Sequence, residues 1–156
     1  MRQRCSFEPV NVYLPADVER TVAGIDGVEQ ATPQFFTQTV NQSCCSVIGV
    51  TRVVGIDMKT DFIVGPWLVG GTLEGGALPP DGIILGAAAP PIEGGQASIL
   101  GSVFYCVGTL EPTGSSVDET IFMDVNAART IAAESPYLES VWLNVDPFDA
   151  ISCVMV

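Results

Sequence analysis

Cys44 and Cys45, adjacent in Asn41-Gln42-Ser43-Cys44-Cys45-Ser46, are the residues whose types most invite chemistry. A thiolate nucleophile, a soft-metal ligand or a redox sensor uses such side chains, provided a cation or a helix N-terminus lowers the thiol pKa. The chain has no histidine, and no basic residue stands between Arg20 and Arg52. Neighbouring positions strain a mutual disulfide and point to opposite faces of a strand. Structural thiols, or a bridge from one of the pair to Cys5, Cys106 or Cys153, are therefore favoured, and a total of five cysteines leaves at least one unpaired. No C-x-x-C pair supports a zinc ribbon or a thioredoxin-like motif. No metal site is assigned, Cys44 and Cys45 being the only candidates.

The carboxylates give no stronger signal. Asp57 and Asp61 bracket Lys59, and Asp118-Glu119 precedes Asp124. Neither place has the alternating ligands and central glycine of a calcium loop, so solvated turn carboxylates are expected. Gly70-Gly71-Thr72-Leu73-Glu74-Gly75-Gly76 lacks the Gly-Lys-Ser/Thr ending of a phosphate loop. Gly114-Ser115-Ser116 lacks the G-x-S-x-G frame of a nucleophile elbow. Without histidine, Ser-His-Asp and Cys-His catalysis are excluded. No catalytic or cofactor-binding residue is assigned, and the chain is read as a non-enzyme. Trp67 and Leu68, in Val64-Gly65-Pro66-Trp67-Leu68-Val69, are a possible partner contact, because an aromatic in a Gly/Pro loop often anchors a partner. A plug over one end of a small β core is the favoured alternative.

Composition narrows the function classes further. The 156 residues are 47% hydrophobic and 15% charged, which excludes disorder. Six Lys+Arg against eighteen Asp+Glu give a net charge of −12. Such a chain cannot build the basic face that nucleic acid or an anionic membrane surface requires. Mean hydropathy is +0.39, yet no stretch reads as a membrane helix. Gly94–Leu110 falls short of the roughly 20 residues needed and is interrupted by glycine. Met1–Cys5 is basic but no apolar segment of a signal peptide follows.

The elements that must position these residues follow from periodicity. Val10-Asn11-Val12-Tyr13 alternates as a half-buried strand does. Pro15 opens a helix whose apolar stripe is Leu14, Val18, Val22 and Ile25, with Gly24 and Gly27 at its end. Segments 28–40 and 46–56 are β-rich, around a turn at Asn41-Gln42-Ser43. From Asp57 to Gly86 the chain is dense in glycine and proline, with turn signals at Gly70-Gly71, Gly75-Gly76 and Pro79-Pro80-Asp81-Gly82. Ile83-Ile84-Leu85 is a short strand, and 98–110 one or two strands about Gly101-Ser102. Thr120–Met123 is another. Asp124 caps a helix over Val125–Glu134 with Val125, Ala128, Ile131 and Ala132 inward. Val141–Val145 is a closing strand. A second helix would complete a β-α-β-β-α-β layout, so the C-terminal part is expected to be cut short at Val156. The fold class is α+β. A discontinuous β-α-β-β/α-β lobe comes from 10–56 plus 121–156, with 57–120 an inserted β-rich lobe.

Ile25-Asp26-Gly27-Val28-Glu29, Val53-Val54-Gly55-Ile56-Asp57, Ile84-Leu85-Gly86 and Phe104–Glu111 follow one another in an order that resembles the extracytoplasmic (periplasmic) core domain of MacB/FtsX/LolE-type ABC transporter permeases. Ile25-Asp26-Gly27-Val28-Glu29 with Ala31-Thr32-Pro33 is similar to the helix end and strand start of that domain's first lobe. Val53-Val54-Gly55-Ile56-Asp57 with Asp61-Phe62 resembles its strand exit, and Trp67-Leu68 with Gly70-Gly71-Thr72-Leu73 the passage into its second lobe. Ile84-Leu85-Gly86, Phe104–Glu111, Thr113-Gly114-Ser115 with Asp118, Ile121-Phe122-Met123 and Ala127-Ala128 continue the series in order. The match spans roughly residues 10 to 146. The sequence departs from the pattern at Ala87-Ala88-Ala89-Pro90-Pro91, too short and broken for the family's helix, and at Gly95-Gln96, which stands where Gly-Asp is usual.

The resemblance implies a non-catalytic domain on the outer face of the cell membrane, between the first and second transmembrane helices of a permease. ATP would be hydrolysed on a separate cytoplasmic subunit, with no cofactor in this domain. Implied partners are that ABC ATPase through the full-length permease, a second permease copy, and an extracytoplasmic accessory protein or a peptide or lipoprotein substrate. No nucleic-acid partner is expected. The alternatives are a soluble thiol-based metal or redox sensor using Cys44/Cys45, and a module binding a small ligand between its lobes.

Overall fold

The computed structural model describes residues 13–39, 45–47, 49–71, 73–136 and 146–156. Val10–Val12 of the strand expected at Val10–Tyr13, the turn at Asn41-Gln42-Ser43 and the strand at Val141–Val145 lie outside them, and Tyr13 itself is not in a strand. The described chain opens on β1 (Leu14–Pro15) and α1 (Asp17–Ala23). The helix begins later than its proline indicates, because Leu14 and Pro15 pair with Ile151 and Ala150 of β9 (Ala150–Ile151). Asp17 and Glu19 lie in the first turn of α1, where the helix dipole favours acids. Val18 and Val22 are half-buried, but Ile25 lies beyond the helix end and is 55% exposed, so the apolar stripe stops at Val22.

Among the described residues eight strands form one mixed sheet. They are β2 (Thr32–Gln38), β3 (Arg52–Ile56), β4 (Leu68–Gly70), β5 (Gly82–Leu85), β6 (Gln96–Ile99), β7 (Ser102–Leu110), β8 (Ile121–Asp124) and β10 (Cys153–Met155). Their order is β10-β2-β3-β8-β5-β7-β4, with β6 paired to β7. The pairs β3/β8 and β5/β7 are parallel, and the others antiparallel. Among the described residues two α-helices and this sheet make the fold α+β. Strands of 57–120 and of the flanking segments share the sheet, since β5 hydrogen-bonds β8 on one side and β7 on the other.

The two-residue period of the strands divides the core into two faces. Phe35, Val53, Ile83, Ile121 and Met123 pack beneath α2 (Val125–Glu134). Val54, Ile56, Ile84 and Phe122 face the other way, where Val64, Leu78 and Leu110 cover them. Sequence alone places α2 correctly in both bounds and inner face. Asp124 Oδ1 accepts from the Asn126 N–H at 2.9 Å and the Ala127 N–H at 3.1 Å. Such a cap contributes about 1 kcal/mol. Arg129, half-buried on the same helix, donates from Nε to the Ala150 carbonyl at 2.7 Å and so ties α2 to β9. Burial lowers its pKa, opposed by the charges of Asp149, Asp124 and Glu19, and the guanidinium remains charged.

Two local expectations are corrected, and the chain end adds two strands. The hairpin between β6 and β7 turns on Leu100 (φ 50°) and Gly101 (φ 92°), not on Gly101-Ser102. Positive φ at both central residues is the pattern of the type I′ turn, whose twist matches that of the strands, and Leu100 accepts that strain. The chain end, to which the sequence assigns no element after Val145, forms β9 and β10. There Ser152 replaces a regular ladder position, donating its N–H to Gln34 O at 2.7 Å while its Oγ accepts from Phe36 N–H at 2.8 Å. Finally, the β-rich segments 28–40 and 46–56 contract to β2 and β3. Residues 87–97 contain no α-helix, as their composition indicates, only a turn and one 3-10 turn at Glu93–Gly95 before β6.

Candidate functional site

The Trp67 segment is built by Asp61. Its Oδ2 accepts from the Val64 N–H at 2.9 Å and the Gly65 N–H at 2.8 Å, closing a tight loop. Its Oδ1 is buried and finds no partner among the described residues. Pro66 then fits the first turn of a 3-10 helix over Gly65–Trp67, where its missing N–H costs nothing. The Trp67 N–H donates to Val64 O at 3.0 Å, and Trp67 O accepts from Glu111 N–H at 2.9 Å. These bonds fix the segment to the start of β4, at one end of the sheet. Leu68 turns inward against the core of Val64, Ile84 and Leu110. Trp67 is 40% exposed and Val69 57% exposed. The plug is therefore Leu68, and Trp67 stands with Val69 at the sheet edge in solvent.

The other candidates do not converge on this segment or on one another. Cys44 lies outside the described residues. Cys45 belongs to no strand, and its Sγ accepts from the Leu100 N–H at 3.3 Å beside the β6–β7 turn. Cys106 and Cys153 are half-buried free thiols. Burial pushes the Cys153 thiol pKa up, away from thiolate chemistry. Asp57 Oδ1 accepts from Lys59 N–H at 2.9 Å, as a turn carboxylate does. Among the described residues no cluster of His, Cys, Asp and Glu is arranged to hold a metal ion, and no helix is long and apolar enough to cross a membrane.

Asp118 organises the loop between β7 and β8. It accepts from Thr113 N–H at 2.7 Å, Thr113 Oγ1 at 2.8 Å and Gly114 N–H at 2.9 Å. The Thr113 backbone N–H, then its hydroxyl, hold this carboxyl below its ordinary value. A carboxyl depressed in the folded state contributes stability above its unfolded pKa of about 3.9, and loses it as pH falls through the folded value. Thermal unfolding followed from pH 6 to pH 2 should thus fall less steeply for Asp118→Asn than for the parent. An unchanged slope would show that this loop carries none of the acid sensitivity.

Comparison with protein families and with curated proteins finds no match. Solved structures do match in fold. The periplasmic region of MacB from Actinobacillus actinomycetemcomitans superposes with TM-score 0.52 at 12% identity, over 75% of this chain and 57% of that one. The extracellular domain of the ABC-type transporter YknZ from Gram-positive bacteria superposes with TM-score 0.52 at 13% identity, over 94% and 72%. The chain thus spans little more than half of the MacB region. Its fold is the α+β fold of these two domains.

Proposed function

We propose that this chain is the extracytoplasmic domain of an ABC transporter permease and couples ATP-driven transmembrane motion to export or to an outer partner. The observation that carries the reading is the coincidence of two signals. The motif series over roughly residues 10 to 146 resembles that domain, and the fold likeness to the YknZ extracellular domain extends over 94% of the chain. In this reading the domain does no chemistry of its own. ATP is hydrolysed on a cytoplasmic subunit that acts through the full-length permease, which dimerises at the cell membrane. The segments 10–56 plus 121–156 and 57–120 act as two lobes joined through the β5–β8 pairing. Outer partners are an accessory protein or a peptide or lipoprotein substrate, met at Trp67, which Leu68 holds in place by packing on the core beneath it.

Two measurements test this. Sequencing the source DNA on both sides should reveal one apolar stretch of about 20 residues upstream and three downstream. A short open frame without them would overturn the reading. Trp67→Ala should lower crosslinking of the native membrane protein to its outer partner about tenfold or more, as loss of an aromatic hot spot does. Its melting temperature should change by only a few degrees, because Trp67 is partly in solvent. Unchanged crosslinking would remove Trp67 from the contact.

A further inference from the structure

A cleft of about 570 Å³ lies where β7 outlasts its neighbour β5. β7 has nine residues and β5 four. Beyond Gly82 the side of β7 away from β6 is bordered by Pro80 and Asp81, and α2 stands opposite. The register shows which backbone groups face the gap. Ser98 turns its N–H and C=O outward to Ser46, with Ser46 N–H donating to Ser98 O at 2.9 Å and Ser98 N–H to Ser46 Oγ at 2.8 Å. Its partner across the ladder, Val103, must then direct its own N–H and C=O away from β6. Tyr105, two residues on, does the same, and its N–H is taken by Asp81 O at 2.8 Å. Val103 thus offers one donor and one acceptor along the cleft and is 45% exposed.

The walls are largely apolar, with Phe104 on the strand side and Ala127 and Ile131 on the helix side. The charged groups among the lining residues are both carboxylates, Asp81 and Asp124, in a chain of net charge −12. Asp124 Oδ1 is committed to the helix cap, whereas Asp81 is exposed. An open strand edge facing a helix across an apolar floor suits an extended chain, which pairs its backbone with the edge and seats alternate side chains. We propose that this cleft binds an extended peptide that pairs with Val103, places an apolar side chain between Phe104 and Ala127, and sets a basic group beside Asp81. The site lies on different elements from Trp67 and does not depend on the permease reading.

The test uses a fluorescein-labelled peptide of alternating lysine and leucine, about six residues long. Saturable one-to-one binding is expected. Replacing leucine by glycine, or N-methylating the peptide backbone, should each weaken it about tenfold or more. Asp81→Lys should weaken it about tenfold as well, since it puts like charges together. That side chain is exposed, so the variant is expected to unfold at the parent temperature. Thr130→Arg, which narrows the cleft from α2, is a second variant and is read together with its circular dichroism. Absence of binding would overturn the proposal. So would equal binding of the glycine or N-methylated peptide, or an Asp81→Lys variant that binds like the parent.

Discussion

Gly55→Ala is expected to destabilise the protein by about 3 kcal/mol, the upper part of the usual range for overpacking. Gly55 sits in β3 directly beneath α2, and a Cβ built there would lie 2.7 Å from Ala128 Cβ and 2.9 Å from Val125 Cα. Neither atom is the end of a flexible side chain. Ala128 Cβ is fixed to the helix and Val125 Cα is backbone, so the helix itself must lift from the sheet. That movement would loosen the packing of Ile131 and Ala132 over Phe35 and Val53. For a chain of this size the melting temperature should fall by roughly 6–12 °C. Adding Ala128→Gly should recover part of the loss, although the same change alone costs about 1 kcal/mol in a helix. Additive effects of the two substitutions would show that Gly55 and α2 are not in contact.

Phe35→Ala should cost about 3–5 kcal/mol, the range for deleting a buried aromatic. Phe35 is 0% exposed, beneath α2, and its ring stacks on Tyr13 with centroids 5.4 Å apart and planes at 27°. The Tyr13 hydroxyl donates to the Phe36 carbonyl at 3.2 Å, so this pair also anchors the start of the described chain to β2. Urea denaturation should show a lower midpoint with an unchanged slope if the cavity merely weakens the fold. Phe35→Leu, which keeps most of the volume, should lose much less. Equal losses for the two variants would mean that the aromatic stack, not the volume, holds this position.

The legible parts of the site were those fixed by neighbours in sequence. Pro66 next to Gly65 marks a tight turn, and Trp67-Leu68 after it marks an apolar segment. That Leu68 is the half-buried member and Trp67 the exposed one depends on Leu110 across the ladder, 42 positions away. Asp61 reads as one of two acids flanking Lys59, and its role as acceptor for Val64 and Gly65 appears only in the folded loop. An aspartate four residues before the glycine of a Gly-Pro turn is the signal that would have found it. The cleft beside Val103 has no sequence signature, because it is made by a length mismatch between strands that pair across the fold.

What the sequence determined by itself was local or periodic. The capped helix α2 and its four inward residues follow from Asp124 and from apolar positions spaced at helical period. The two-faced strands follow from alternation in Val53-Val54-Gly55-Ile56 and Ile121-Phe122-Met123, and the absence of histidine set limits on chemistry. Tertiary structure decided the rest. It placed β8 between β3 and β5, drew Cys153–Met155 onto the edge of β2, and moved the β6–β7 turn onto Leu100. The physical reason is that strand pairing is satisfied by hydrogen bonds between distant residues. Propensity therefore says that a segment is a strand, while the partner that completes its ladder is chosen only when the whole core closes.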